Sequence, residues 1–310
     1  VPVSAHQVTV RSPAKINLGL SVGPPRPDGF HPLATVYQAV ALYDDVTATL
    51  RDDAEVTVEV IGDFADDVPT DSSNLAVRAA RTLQAEYDVE DGVDLTIRKT
   101  IPVAGGMAGG STDAAATLVA CNRLWGLGLA QSELERIAAD LGSDVPFCLV
   151  GHTALGRGRG EQVTEVLSRG TFHWVFAIAE GGLPTPAVYK ELDRLRPLRR
   201  VEAPEVRPEL LSALLSGQPA ALAIALSNDL QAAALSLRPE LSATLQFGLD
   251  QGALAAMISG SGPTCLFLAA DSRQAVDLAV ELAESGLCRM VRQAEGPVPG
   301  ARVLPAAVSR

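Results

Sequence analysis

The 310-residue sequence predicts an α+β fold in two domains, residues 1–160 and 161–310. Strand-like alternation and helical periodicity take turns along the first half. A glycine-rich loop there stands between a strand and a helix, and a new strand at Phe172 opens a region that ends in its own strand–helix–strand unit. A chain of this length forms one large domain or two ordinary ones, and its 47% hydrophobic content supplies a core for either.

In the first half, residues 8–22, 36–50, 55–60 and 93–99 read as strands. In the first of these Ile16, Leu18, Leu20 and Val22 fall on one face and Lys15, Asn17, Gly19 and Ser21 on the other. In the last, Val93, Leu95 and Ile97 alternate in the same way. Helices are expected over 73–87, 111–125 and 132–141. The middle one carries Leu118, Cys121 and Trp125 at helical spacing, offers Ser111, Thr112 and Asp113 as N-caps, and stops at Gly126. "HTALGRGRGEQVTEV" reads as two strands joined by a Gly/Arg turn, and "FHWVFAIAE" as the strand that opens the second region. Helices follow over 186–195, 208–216, 219–226 and 232–247, with the Pro- and Arg-rich "RPLRRVEAPEVRP" as a surface connection. "AAMISGSGPTCLFLAA", a helix over 273–285 and "CRMVRQAE" close the chain around a tight Gly-Ser-Gly turn.

Composition narrows the function. A net charge of −12 argues against broad binding to nucleic acid or anionic membranes, so a phosphorylated ligand would need positive charge gathered locally. No apolar run approaches the length of a membrane span, and "VPVSAHQVTVRS" lacks the basic start and apolar centre of a signal peptide. Cys121, Cys148, Cys265 and Cys288 stand singly in apolar stretches without a CxxC pair, which reads as buried, reduced thiols of a cytoplasmic protein. Only three of the 25 basic residues are lysines (Lys15, Lys99 and Lys190), and two of them lie beside candidate site segments.

Chemistry gathers in five segments. "PVAGGMAGGSTDAAATL" (102–118) joins a strand to a helix through Gly105, Gly106, Gly109 and Gly110. Small residues let a ligand approach the backbone, and free amides at a helix start attract phosphate. The loop fits neither GxxxxGK[ST] nor GxGxxG, so it reads as a phosphate cradle of a third kind, with a flexible turn as the alternative. Lys15 and Asn17, two apart on one strand face, can hold a hydroxyl and a developing negative charge; an edge strand with ordinary polar residues is the alternative. "DGFH" presents Phe30 beside His31, a pair suited to stacking on a base and reading its edge, or simply to packing a loop. In "LGSDVPF", Asp144 is either a helix cap ahead of Pro146 or a rigidly held carboxylate. "ISGSGPT" is a hairpin turn that could also approach a phosphate.

Their order along the chain, from "PAKINL" and "RPDGFHPL" through "IPVAGGMAGGSTDAAATL" and "LGSDVPF" to "PTPAVYKELD" and "ISGSGPT", resembles the GHMP kinase superfamily. These are the small-molecule kinases of galactose, homoserine, mevalonate and phosphomevalonate. Within it the segments are most similar to the branch that phosphorylates the 2-hydroxyl of a cytidine-diphosphate-linked methylerythritol on the non-mevalonate isoprenoid route. The resemblance implies the two-domain GHMP kinase fold, with a ribosomal-protein-S5-like N-terminal domain that binds ATP and a ferredoxin-like C-terminal domain that binds substrate. It implies ATP and Mg²⁺, a small-molecule substrate, no nucleic acid or membrane partner, and a monomer or weak homodimer.

By the same resemblance Asp144 takes the hydroxyl proton, Lys15 offsets charge at the transferring group and Asn17 orients the substrate. Pro102, Gly105, Gly106, Met107, Ala108, Gly109, Gly110, Ser111 and Thr112 form the ATP cradle, with Ser111 or Thr112 reaching metal or phosphate, and Asn74 and Lys99 line the adenine pocket. Phe30 and Tyr189 stack on the cytosine, His31 meets its edge, and Thr185 lies near that end. Ala104 and Ala108 replace frequent glycines, Thr112 a frequent Ser, and Phe30 a frequent Tyr. A mevalonate- or homoserine-type kinase, and an inactive binding protein of the same fold, are the competing readings.

Overall fold

The computed structural model describes residues 6–196 and 203–305. Two long strands, β1 (Gln7–Val22) and β2 (Leu33–Leu50), pair antiparallel along their whole length, with register shifts at Pro13/Ala14 and Asn17/Gly19. Those irregularities bracket Lys15 and Asn17, and such kinks re-aim side chains beside sites. β3 (Val56–Gly62) leads to α1 (Leu75–Glu86), which Asn74 caps by accepting the Ala76 amide at 2.8 Å. β4 (Val93–Lys99) then pairs antiparallel with β2 and parallel with β3.

α2 (Gly109–Leu124) starts two residues before the expected 111. Ala108, in left-handed backbone (φ 61°), turns the chain into the helix, so Ser111, Thr112 and Asp113 are inside it and none is the N-cap. Two other attachments hold this start. The Thr112 hydroxyl donates to the Pro13 carbonyl (3.1 Å), and the Asp113 carboxylate pairs with Lys99. After α3 (Gln131–Leu141) and α4 (Val145–Val150) come β5 (Thr153–Arg157), paired with β2, and β6 (Gln162–Glu165), paired with β5 across the Gly/Arg turn.

β7 (Phe172–Ile178) begins a second sheet. α5 (Thr185–Leu195), α6 (Pro208–Ser216), α7 (Pro219–Ala225) and the short β8 (Ser227–Asn228) follow; residues 197–202 of the expected surface connection before α6 lie outside the described residues. The single helix expected over 232–247 is two, α8 (Gln231–Leu237) and α9 (Leu241–Asp250). Pro239 has no amide to donate and excludes Arg238 from helical backbone, which here has φ −134° and ψ 73°. β9 (Ala255–Ile258), β10 (Cys265–Ala269), α10 (Ser272–Glu284) and β11 (Met290–Gly296) complete the antiparallel second sheet, in order β11-β7-β10-β9. β12 (Arg302–Val303) returns to the first sheet beside β1, and β8 pairs parallel to the same strand.

Three apolar layers result. Val46, Leu95 and Ile97 pack against α1 to α4, while Val175, Ile258 and Phe267 pack against α5, α8, α9 and α10. Between the sheets, Ile16, Leu18 and Val36 meet Trp174, Phe176 and Leu266. The Trp174 indole donates to Gln38 at 2.9 Å in that layer. β1 is therefore buried on both faces rather than a half-exposed edge, and Lys15 and Asn17 lie in the interior with 6% and 2% exposure.

Candidate active site

A cleft of about 660 Å³ opens where both sheets' loops meet, within the usual size of a small-molecule site. On its floor Lys15 Nζ donates to Asn17 Oδ1 (2.9 Å) and lies 3.4 Å from Asp144 Oδ2. Asn17 in turn donates to the Thr35 hydroxyl (2.8 Å), which donates to the Gly19 carbonyl (2.7 Å). Asp144 occupies the N-cap position of α4 without making a cap hydrogen bond, so the carboxylate is not engaged in the bland role open to it in the sequence. Its other oxygen accepts from the Tyr37 hydroxyl at 3.1 Å. Burial first, and the Asp144 charge second, push the Tyr37 phenol well above its ordinary range, so it remains a donor.

The glycine loop forms one wall. The first bond of α2 is from the Thr112 amide to the Ala108 carbonyl (2.9 Å), which leaves the amides of Gly109, Gly110 and Ser111 without intrahelical acceptors. These residues line the cleft with Gly105, Gly106 and Ala108. Gly106, at φ 77°, packs so closely on the β9–β10 hairpin that a Cβ there would lie 1.9 Å from the Ser259 carbonyl oxygen. The Ser259 hydroxyl donates to the Gly106 carbonyl (3.1 Å), and Asn228 pins the hairpin by donating to Ile258 and Gly260. Lys15 is tied to the same loop through its amide, which donates to the Met107 carbonyl at 3.3 Å.

Several residues expected at the ATP site do not present side chains to this cleft. Met107 is buried in the layer between the sheets, and the Thr112 hydroxyl is bonded to Pro13. Pro102 backs the loop beneath Gly105. Asn74 is the α1 cap, with its amide donating to the Pro69 carbonyl, and the neighbouring Leu75 lines the cleft instead. Lys99 lies beneath the loop rather than in a pocket wall: fully buried, it donates to Asp44 and Asp113 at 2.6 Å each. Burial opposes its charge, but the two carboxylates outweigh burial and raise its pKa. Burial pushes Asp113 well up, and its Oδ1 has no partner among the described residues. Asp44 also accepts the amides of Thr100 and Ile101, which anchors the strand end that feeds the loop.

Aromatic groups line the opposite end. His31 packs on Tyr189 with ring centroids 5.0 Å apart, and Thr185 shares a hydrogen bond with Ser261 at 2.9 Å. Phe30 is 49% exposed, with the Arg159 guanidinium 5.1 Å from its ring centre. Arg159, Lys190 and Lys15 supply local positive charge on the cleft of an acidic chain. Tyr37, Thr35, Arg159 and Asp193 were not legible as site residues. Tyr37, Arg159 and Asp193 line the cleft and Thr35 backs Asn17 beneath it, each from a segment whose own pattern is complete without it.

Among the described residues no three His, Cys, Asp or Glu side chains group as a metal cage. Mg²⁺ needs no such cage, since it keeps waters and phosphate oxygens and takes one or two protein ligands. The Ser111 hydroxyl on the cleft wall can supply such a ligand. The cysteines offer no alternative chemistry; burial pushes the Cys148 thiol up to about 12.

Comparison with known proteins identifies the family and its fold. Family models of the GHMP kinases N terminal domain and the GHMP kinases C terminal domain match residues 74–152 and 210–286. The chain is 57% identical over 297 residues to the 4-diphosphocytidyl-2-C-methyl-D-erythritol kinase of Streptomyces avermitilis, covering 96% of this chain and 99% of that one. It is 54% identical over 310 residues to the protein of the same name from Mycolicibacterium gilvum, covering 98% and 95%. A crystal structure of 4-(cytidine 5'-diphospho)-2C-methyl-D-erythritol kinase superposes with a TM-score of 0.76 at 30% identity, over 93% of this chain and 98% of that one. Homoserine kinase from Cytophaga hutchinsonii reaches the same TM-score at 18% identity, which is a likeness of fold.

Proposed function

The chain belongs to the 4-diphosphocytidyl-2-C-methyl-D-erythritol kinase family of GHMP kinases, and from that premise we propose how its cleft works. It transfers the γ-phosphoryl group of ATP to the 2-hydroxyl of 4-diphosphocytidyl-2-C-methyl-D-erythritol. The observation that carries this reading is the cleft's polarity. Helix-start amides without a partner among the described residues form one end, packed rings the other, and the Lys15–Asp144 pair lies on the floor of the same cleft. Lys15 is bonded through its amide to the phosphate loop, and Asp144 lines the same cleft as Tyr189.

Phosphoryl transfer needs alignment, charge neutralisation and an acceptor for the hydroxyl proton. Asp144 Oδ2 accepts that proton, while Tyr37 holds the other oxygen and so fixes the plane of the carboxylate. Lys15, held by Asn17 and facing Asp144, offsets charge on the transferring oxygens. Asn17 has its carbonyl on Lys15 and its amide on Thr35, so it orients Lys15 first and the substrate through the same rigid strand. The amides of Gly109, Gly110 and Ser111 receive the ATP phosphates at the positive end of α2. Mg²⁺, held by Ser111 and phosphate oxygens, would neutralise further phosphate charge. Phe30, His31 and Tyr189 hold the cytosine; free thiols, buried at Cys121, Cys148 and Cys265 and half-buried at Cys288, and small-molecule substrates suit a cytoplasmic enzyme.

The test is ADP release with the cytidine-diphosphate substrate, mevalonate and homoserine in parallel. Turnover confined to the first is expected; comparable turnover of either other alcohol would overturn the assignment.

A further inference from the structure

The His31 imidazole is held on two sides by one helix. Tyr189 stacks against its face, and Asp193, one turn further along α5, sits at its edge with Oδ1 3.0 Å from Nε2. Residues four apart lie on one helical face, so a single rigid element presents both the stacking ring and the carboxylate. His31 is almost completely buried, at 5% side-chain exposure, whereas Asp193 is 38% exposed. Both line the cleft. Among the described residues the imidazole has no other hydrogen-bond partner, so Nδ1 is unengaged.

We propose that Asp193 is a specificity-determining positioning residue, which fixes His31 as the Nε2–H form and leaves the Nδ1 lone pair to face the pyrimidine. This rests on the reading of His31 as the base-edge residue given above. In a neutral imidazole one nitrogen donates and the other accepts, and a partner on one nitrogen decides the role of the other. A carboxylate accepts only, so a neutral ring beside Asp193 must carry its proton on Nε2. Nδ1 is then an acceptor. Cytosine offers an amino donor at position 4, while uracil carries an acceptor oxygen there. An imidazole locked in this form pairs with the first and repels the second. Without Asp193 the ring can adopt either tautomer, and the Nδ1–H form would accommodate the uracil oxygen. Recognition of the base would thus be set by a carboxylate that never touches it, much as the aspartate of a Ser-His-Asp triad sets the tautomer of its histidine.

The experiment compares wild type, Asp193→Ala and His31→Ala with ATP and either the cytidine-diphosphate substrate or its uridine analogue. Alongside, ¹⁵N NMR of the His31 ring in the folded proteins reports its tautomer without reference to activity. Wild type should prefer the cytidine compound in kcat/KM and show a protonated Nε2 with unprotonated Nδ1. Asp193→Ala should lose about tenfold or more of that preference, mainly through a lower KM for the uridine analogue. Its KM for ATP should be unchanged, and its His31 spectrum should be that of mixed tautomers. If wild type prefers cytidine and Asp193→Ala keeps the same ratio, or the same His31 spectrum, the role of Asp193 is wrong while base reading by His31 stands. If wild type accepts both bases equally, base reading itself fails and Asp193 falls with it.

Discussion

The carboxylate of Asp144 faces the Lys15 ammonium at 3.4 Å and leaves the start of its own helix uncapped. A side chain kept for structure alone would bond the free amides beside it, since a cap is worth about 0.5–2 kcal/mol. Asp144→Asn should therefore leave melting temperature and ATP binding nearly unchanged while kcat falls by ~10²–10⁴, the usual contribution of a positioned base. Thermal melts, nucleotide titration and steady-state kinetics check this together. A variant with wild-type kcat would return Asp144 to a purely local role.

Gly106→Ala should displace the phosphate loop, because the new Cβ would fall 1.9 Å from the Ser259 carbonyl at a φ of 77°. KM for ATP should rise at least about tenfold, a loss of about 1.4 kcal/mol of binding, with a smaller effect on the cytidine substrate. Equal weakening of both would mean that the loop does not serve ATP.

Ala108→Gly should stabilise the protein. Left-handed backbone at a non-glycine residue costs about 1–2 kcal/mol, offset in part by glycine's greater entropy loss of about 0.5–1 kcal/mol. Ala108 has φ 61°, so the melting temperature should rise by about 1–3 °C. A lower melting temperature would show that the Ala108 methyl contributes packing that outweighs the strain.

Lys99→Met should destabilise by about 3–5 kcal/mol, since it leaves Asp44 and Asp113 buried without their cation. The pH dependence has a definite sign. Lys99 is raised above its ordinary 10.5 on folding, so its contribution is present below 10.5 and is lost as pH rises through the raised value. Urea denaturation of both proteins should give a constant gap from pH 7 to 10 that closes only in stronger alkali. A gap that is already small at pH 7 would contradict the triad.

What the sequence made legible is whatever depends on local pattern. The strand Val93–Lys99 and the helix Pro208–Ser216 could be bounded to the residue by alternation, proline and glycine. Lys15 and Asn17 could be placed on one face of their strand before any partner was known. The partners themselves could not. Asp193 lies 162 positions from His31 and Asp44 lies 55 from Lys99, and nothing in either local pattern distinguishes these acids from solvated ones. Lys99 shows the cost: its place beside the loop was readable, but not the two carboxylates that draw its ammonium under the loop. Pro239 is a local signal for the break, masked by an apolar run long enough for one helix.

β1 is enclosed by β2 along one edge and, along the other, by two short strands drawn from far later in the chain: Ser227–Asn228 at Gly19–Leu20 and Arg302–Val303 at Val10–Arg11. The fold is therefore fastened like a clasp, with its first strand locked by one of its last. During synthesis the outer edge of β1 stays open at Val10–Arg11 until residues near 303 have been made, although Gly19–Leu20 is covered from residue 228 and the Lys15 amide already meets Met107. An open strand edge is a template for unwanted pairing. Vectorial synthesis thus leaves the catalytic strand as the one completed latest, and a chain cut short after β11 would keep both sheets yet leave that edge open to association with other copies.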